Sequence, residues 1–206
     1  MLSKLSNEIQ QLIVLSKHNF LVSGRIIALL WIIHLFNAFS KHGFNQFGIR
    51  PRTLEGLVGI FLAPFLHADK THLFFNTIPL LVLSTLVLTL KDNYFYQATA
   101  GIILLSGLLI WVFGRAGTHI GASSLIMGDL GYLLANAYLS LNSVTIMIAA
   151  ICLYYFGSLI FSIFPSVEKN VSWEGHLLGL ISGIAVAYYQ PLIKFGVQLL
   201  KGFLPW

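Results

Sequence analysis

Charge is what this chain has least of: only 9% of its 206 residues are Asp, Glu, Lys or Arg, and just seven are acidic. With 57% hydrophobic residues and a mean hydropathy of +0.83, that scarcity excludes an ordinary soluble domain and implies a polytopic membrane protein. Cysteine is nearly absent too. Cys152 is alone in an apolar run, so an internal disulfide is impossible and the thiol reads as a packing residue. No cluster of Lys and Arg occurs, because the net charge of +5 is spread along the chain. This excludes a reader of DNA or RNA and favours contact with an anionic lipid bilayer. The first twenty residues never reach a clean apolar core followed by a small-residue cleavage site, so no signal peptide is expected.

The apolar runs set the organisation. Leu5, Ile9, Leu12 and Ile13 recur at helical spacing among polar residues, which suggests a surface segment over residues 1–20, either a membrane-lying helix or a solvated leader. A first span runs from about Leu21 to Phe39 and carries Arg25, His34 and Asn37. Residues 40–69 are mixed in character, and Glu55, Gly56, Gly59 and Pro64 leave too few continuous apolar residues for a span, so a partly membrane-embedded loop is expected. Five more spans follow, at about Thr71–Leu90, Tyr94–Phe113, Ile120–Leu141, Val144–Phe164 and Gly175–Gln190, where Pro191 is expected to interrupt the last. The expectation is an all-α, six-transmembrane-helix bundle with a core over 21–191 and a tail over 192–206. Orientation stays open, since the Lys and Arg residues divide evenly between the two sides.

Small and polar residues interrupt this background at Gly117-Thr118-His119-Ile120-Gly121-Ala122-Ser123-Ser124. Ser123 falls where a helix begins, and there the unpaired N–H groups and the helix dipole favour negative charge, as an oxyanion would require. The alternative is that Ser123 and Ser124 merely cap that helix. In a bundle, spans two, four and six begin on the same side of the membrane, so His72, Ser123 and His176 meet one leaflet, with Asn76 one turn below His72. Polar groups buried in hydrocarbon need partners or a wet cavity, which favours their convergence. Gly175, Gly179 and Gly183 form a stripe that permits close helix approach, and His176 beside it is a suitable base for a serine hydroxyl. Singly, each has a packing explanation: an interfacial histidine, a glycine seam, a His72–Asn76 bridge.

Together these motifs resemble the rhomboid family of intramembrane serine proteases. Gly121-Ala122-Ser123-Ser124 is similar to the family's G-x-S-G except at its last position, His67, His72 and Asn76 match its second-helix pattern, and Gly175-His176-x-x-Gly179-x-x-x-Gly183 matches its sixth. The resemblance covers all six spans. It implies a Ser123–His176 catalytic dyad, with His72, Asn76 and the backbone N–H of Ser123 binding the oxyanion. It also implies transmembrane protein substrates, no cofactor, and a multi-pass location in a bacterial plasma membrane. The loop between the first two spans matches the family's membrane-lying loop, with Arg50-Pro51-Arg52 where some members carry Trp-Arg.

Three positions depart from the pattern. Ser124 replaces a glycine, Met127 stands where some members place an aromatic ring under the histidine, and Asp129 is ionisable within the fourth span. Asp129 lies about 240° around the helix from Ser123, so structural pairing is expected of it rather than a place in a triad. The competing function is a rhomboid-like protein without activity that binds transmembrane helices, although such proteins typically lack the serine or the histidine. A metal carrier using His67, Asp69, His72, His119 and His176 is disfavoured, because these come from separate segments without an H-E-x-x-H pattern or cysteine pair, and no metal is expected.

Overall fold

Backbone groups in hydrocarbon find no water, so long apolar runs satisfy them internally as helices. The computed structural model describes residues 2–91, 94–165 and 172–203. Helices α1 (Leu2–Phe39), α2 (Gly59–Leu62), α3 (Lys70–Lys91), α4 (Phe95–Phe113), α5 (Ser123–Ser140), α6 (Ser143–Phe156) and α7 (Trp173–Phe203) account for most of them. Among the described residues there is no β-sheet, only an isolated antiparallel bridge between Ile49 and His119. The expected turn at Lys91-Asp92-Asn93 falls largely outside the described residues.

Among the described residues, four helical segments are long and apolar enough to cross a membrane: Leu12–Phe39, Lys70–Leu90, Phe95–Phe113 and Ser143–Ile163. They correspond to the first, second, third and fifth expected spans. Helix α5 is not among them, and its sequence explains why. Ser123, Ser124, Gly128, Asp129, Gly131 and Asn136 dilute its hydropathy, yet every residue from Leu125 to Leu133 is buried. A helix enclosed by other helices meets side chains rather than lipid and needs no apolar outer face.

Two boundaries differ from the sequence reading. Helix α1 is continuous from Leu2, with no break near residue 20, because no proline or paired glycine interrupts the chain between the polar start and the apolar run and propagation of a helix is cheap. Helix α7 likewise continues through Pro191 to Phe203, as membrane helices can when neighbouring groups take up the freed carbonyl. Residues 40–69 form a string of short helical turns, as a loop lying against the bundle should. Asn37, fully buried, holds its start by donating to Asn45 Oδ1 (2.8 Å) and accepting from Phe44 N (3.0 Å). Arg52, in the left-handed region at φ 60°, holds its middle: its Nη1 donates to the carbonyls of Val112 (3.0 Å) and Gly114 (2.9 Å) at the end of α4.

Helices α5 and α7 touch backbone to backbone. A Cβ on Gly179 would strike the backbone of Ser124, one on Gly183 the backbone of Gly128, and one on Gly131 the carbonyl of Leu180. The four-residue step is the same on both helices, so they run parallel in register. Gly183→Val therefore drives a side chain into peptide atoms that cannot yield. The expected cost is roughly 1–3 kcal/mol, read as a lower thermal midpoint in detergent, whereas Gly24→Ala, which meets open space, leaves it unchanged or slightly higher. Equal midpoints for Gly183→Val and wild type would contradict this contact.

Candidate active site

Ser123 is the first residue of α5 and is half-buried. Its helix is not capped by a serine: the N-cap is Ala122, which provides no side-chain acceptor. The capping alternative therefore does not hold, and the first-turn N–H groups beside Ser123 have no intrahelical partner.

The approach to Ser123 is fixed by bonds from the loop that precedes α3. His119 and Ile49 exchange backbone hydrogen bonds (2.8 and 2.9 Å), Gly121 N donates to the Ala63 carbonyl (2.9 Å), and Ala122 N donates to His67 Nε2 (3.4 Å). Gly121 has φ 115°, a conformation that favours glycine, and space gives a second reason for it. A Cβ there would lie 2.8 Å from His72 Cε1 and Nε2 and 3.6 Å from Asn76 Nδ2. His72 and Asn76 thus reach the residue two before Ser123. Asn76 is buried at 7% exposure, and its Nδ2 has no hydrogen-bond partner, an idle donor facing this turn. Such a donor is costly unless something in the site uses it.

His176 lies in the first turn of α7, half-buried, and its Nδ1 is 3.3 Å from the Ser162 carbonyl. A carbonyl only accepts, so Nδ1 carries the proton and Nε2 keeps its lone pair. Gly179, three residues on, rests on the Ser124 backbone, which brings the first turns of α5 and α7 side by side. A cavity of about 20 Å³, room for about one water, is lined by Ser123, Ser124, His119, Ser172 and Gly175. Among the described residues no hydrogen bond joins Ser123 to His176.

The departures resolve individually. It is Gly179 against the Ser124 backbone, not the Ser124 side chain, that sets the approach of α7. Met127 is buried, and among the described residues no ring packs on His176, whose Nδ1 is held by the Ser162 carbonyl instead. The pairing expected of Asp129 is not seen at Oδ1, which is buried without a partner. Of the disfavoured metal set, His67 packs edge-on to His72 at 5.2 Å, while His119 bonds Ser172 Oγ (2.9 Å) and the Arg115 carbonyl (3.0 Å).

Several participants were not foreseen. Ser172 caps α7 by accepting from Gly175 N (3.1 Å), and Glu174 pairs with Arg115 at 3.4 Å, tying the start of α7 to the turn before Ser123. Ser172, three residues before Gly175, carried a visible capping signal. The Ala63 and Ser162 carbonyls carried none, since any residue supplies a carbonyl.

The Rhomboid domain family model matches residues 54–191, from the loop through most of α7. Uncharacterized proteins of Mycobacterium bovis and of Mycobacterium tuberculosis strain H37Rv are each 38% identical over 170 residues, covering 79% of this chain and 71% of theirs. An uncharacterized protein of Mycobacterium leprae is 36% identical over 170 residues, covering 79% of this chain and 67% of its own.

Acid is expected to loosen the loop that carries Ser123. Burial, helped by the charges of His72 and His34, pushes the His67 imidazole down to about 3, so it is neutral and accepts from Ala122. Its folded pKa lies below its unfolded value, so the stabilisation is complete above about 6.5 and is lost as pH falls from there toward 3. Asp69 works in the same direction at lower pH, held below the usual carboxylate range by the His72 N–H it accepts (2.8 Å). The thermal midpoint in detergent should fall steadily between pH 7 and pH 4 and fall less in His67→Gln, which accepts without titrating. Parallel pH profiles for the two proteins would contradict this role of His67.

Proposed function

The chain belongs to the rhomboid family, and from that premise we propose that it is an intramembrane serine endopeptidase acting on transmembrane segments of other proteins. In this reading residues 21–191 are the catalytic core and α5 and α7 complete six spans across a bacterial plasma membrane. The observation that carries it is the unpaired Asn76 donor, which with His72 crowds the glycine turn immediately before Ser123. A buried donor with no partner, beside the open N–H groups of a helix start, suits a site built for an anion that exists only transiently.

His176 Nε2 takes the proton as Ser123 Oγ attacks the scissile carbonyl carbon. The carbonyl oxygen becomes an oxyanion held by His72, Asn76 and the Ser123 N–H. The tetrahedral intermediate collapses by breaking the C–N bond, and His176 returns its proton to the leaving amine. Water, deprotonated by the same imidazole, then hydrolyses the acyl-enzyme and frees Ser123. The Ser162 carbonyl, by holding Nδ1–H, keeps the imidazole in the tautomer both halves need, a part that an acidic residue plays in a triad.

With purified protein and a model transmembrane substrate in liposomes, wild type should cleave. Ser123→Ala and His176→Ala should each reduce the rate by about 10³-fold or more, and Asn76→Ala by about 10²-fold or more, as for other oxyanion donors. Substrate binding by wild type with no cleavage in any lipid would favour the non-cleaving helix-binding member of the family instead.

A further inference from the structure

Far from Ser123, helices α1, α3 and α6 enclose a groove of about 630 Å³. Thr89 on its wall is about 25 Å along α3 from His72, so the groove opens at the opposite face of the bundle from the candidate active site. Ile13 and Phe20 of α1, Leu86 of α3 and Met147 and Ile151 of α6 give it apolar walls. Its polar atoms are few and gathered at one place. The hydroxyls of Ser16 and Thr89 meet at 3.4 Å, Asn19 Nδ2 donates to Thr89 Oγ1 (3.3 Å), and the exposed side chain of Lys17 stands at the rim. Among the described residues no carboxylate pairs with Lys17. Lys17 lies near the start of the Leu12–Phe39 span and Thr89 at the end of the Lys70–Leu90 span, which puts both at headgroup depth.

Charge selects the occupant: the walls are apolar, and the charged group at the groove is the Lys17 ammonium, which no carboxylate neutralises among the described residues. We propose that this groove binds one anionic phospholipid of the bilayer leaflet at that face, an acyl chain along the apolar walls and the phosphate head against Lys17. Basic residues at this depth attract anionic headgroups, and long side chains reach them by extending along the interface.

Native mass spectrometry of the full chain released from detergent micelles, with phosphatidylglycerol and phosphatidylcholine of identical chains added in turn, tests this. Wild type should retain phosphatidylglycerol over phosphatidylcholine. Lys17→Gln should weaken phosphatidylglycerol alone by about fivefold, the effect of the roughly 1 kcal/mol that one basic residue contributes near anionic lipid. Ile151→Trp, at a position 38% exposed, should fill the groove and lower retention of both lipids. Equal retention of the two lipids by wild type, or phosphatidylglycerol retention unaltered by either variant, overturns the proposal. So does a dimer that Ile151→Trp abolishes, which would assign the groove to a second copy of the chain.

Discussion

The backbone contact between α5 and α7 is the constraint on which the rest depends. Gly179 on the Ser124 backbone and Gly183 on the Gly128 backbone leave no room for a side chain, so the two helices are set in one register and at one depth. In a bilayer, where lipid tails are as apolar as any side chain, such close packing is one of the forces that bring helices together, beside interhelical hydrogen bonds and lipid entropy. The register places the first turn of α7, with His176, beside the first turn of α5, with Ser123. It also accounts for α5 itself, a helix with serine, asparagine and aspartate in 18 residues that is kept at the centre of the bundle by its neighbours rather than by its own hydropathy.

A second constraint positions the turn before Ser123. The loop over residues 40–69 lies along the bundle, clamped by Asn37 at one end and Arg52 near its middle, and presents Ile49, the Ala63 carbonyl and His67 to residues 119–122. From the other side, Ser172 and Glu174 bind His119 and Arg115. The turn is therefore gripped between the loop and the start of α7. The proposed nucleophile stands on a rigid support, as a site that must bind a transition state better than its substrate requires.

Much of this was legible in the residue order. Composition announces a membrane protein, and among the described residues four of the six expected spans are helices long and apolar enough to cross. The Gly175–Gly179–Gly183 stripe foretells the α5–α7 seam because four-residue spacing maps to one helical face. Other features were not legible, for physical reasons. The continuity of α1 and of α7 through Pro191 depends on cooperative propagation and on neighbours, which local signals understate. The carbonyls of Ala63 and Ser162 act through backbone atoms that every residue has. The polar residues Ser123 and Asp129 look alike as intrusions in α5, yet one lines a small cavity and the other has a buried oxygen without a partner. Pattern sees the intrusion, and only packing separates the two.

The central claim is that His176 activates Ser123 across the α5–α7 seam. Treating the purified protein with a fluorophosphonate and mapping the adduct by peptide mass spectrometry tests it most directly. The account predicts phosphonylation at Ser123 in the wild-type protein and loss of that adduct in His176→Ala. An adduct on another residue, or undiminished labelling of Ser123 without His176, would contradict it.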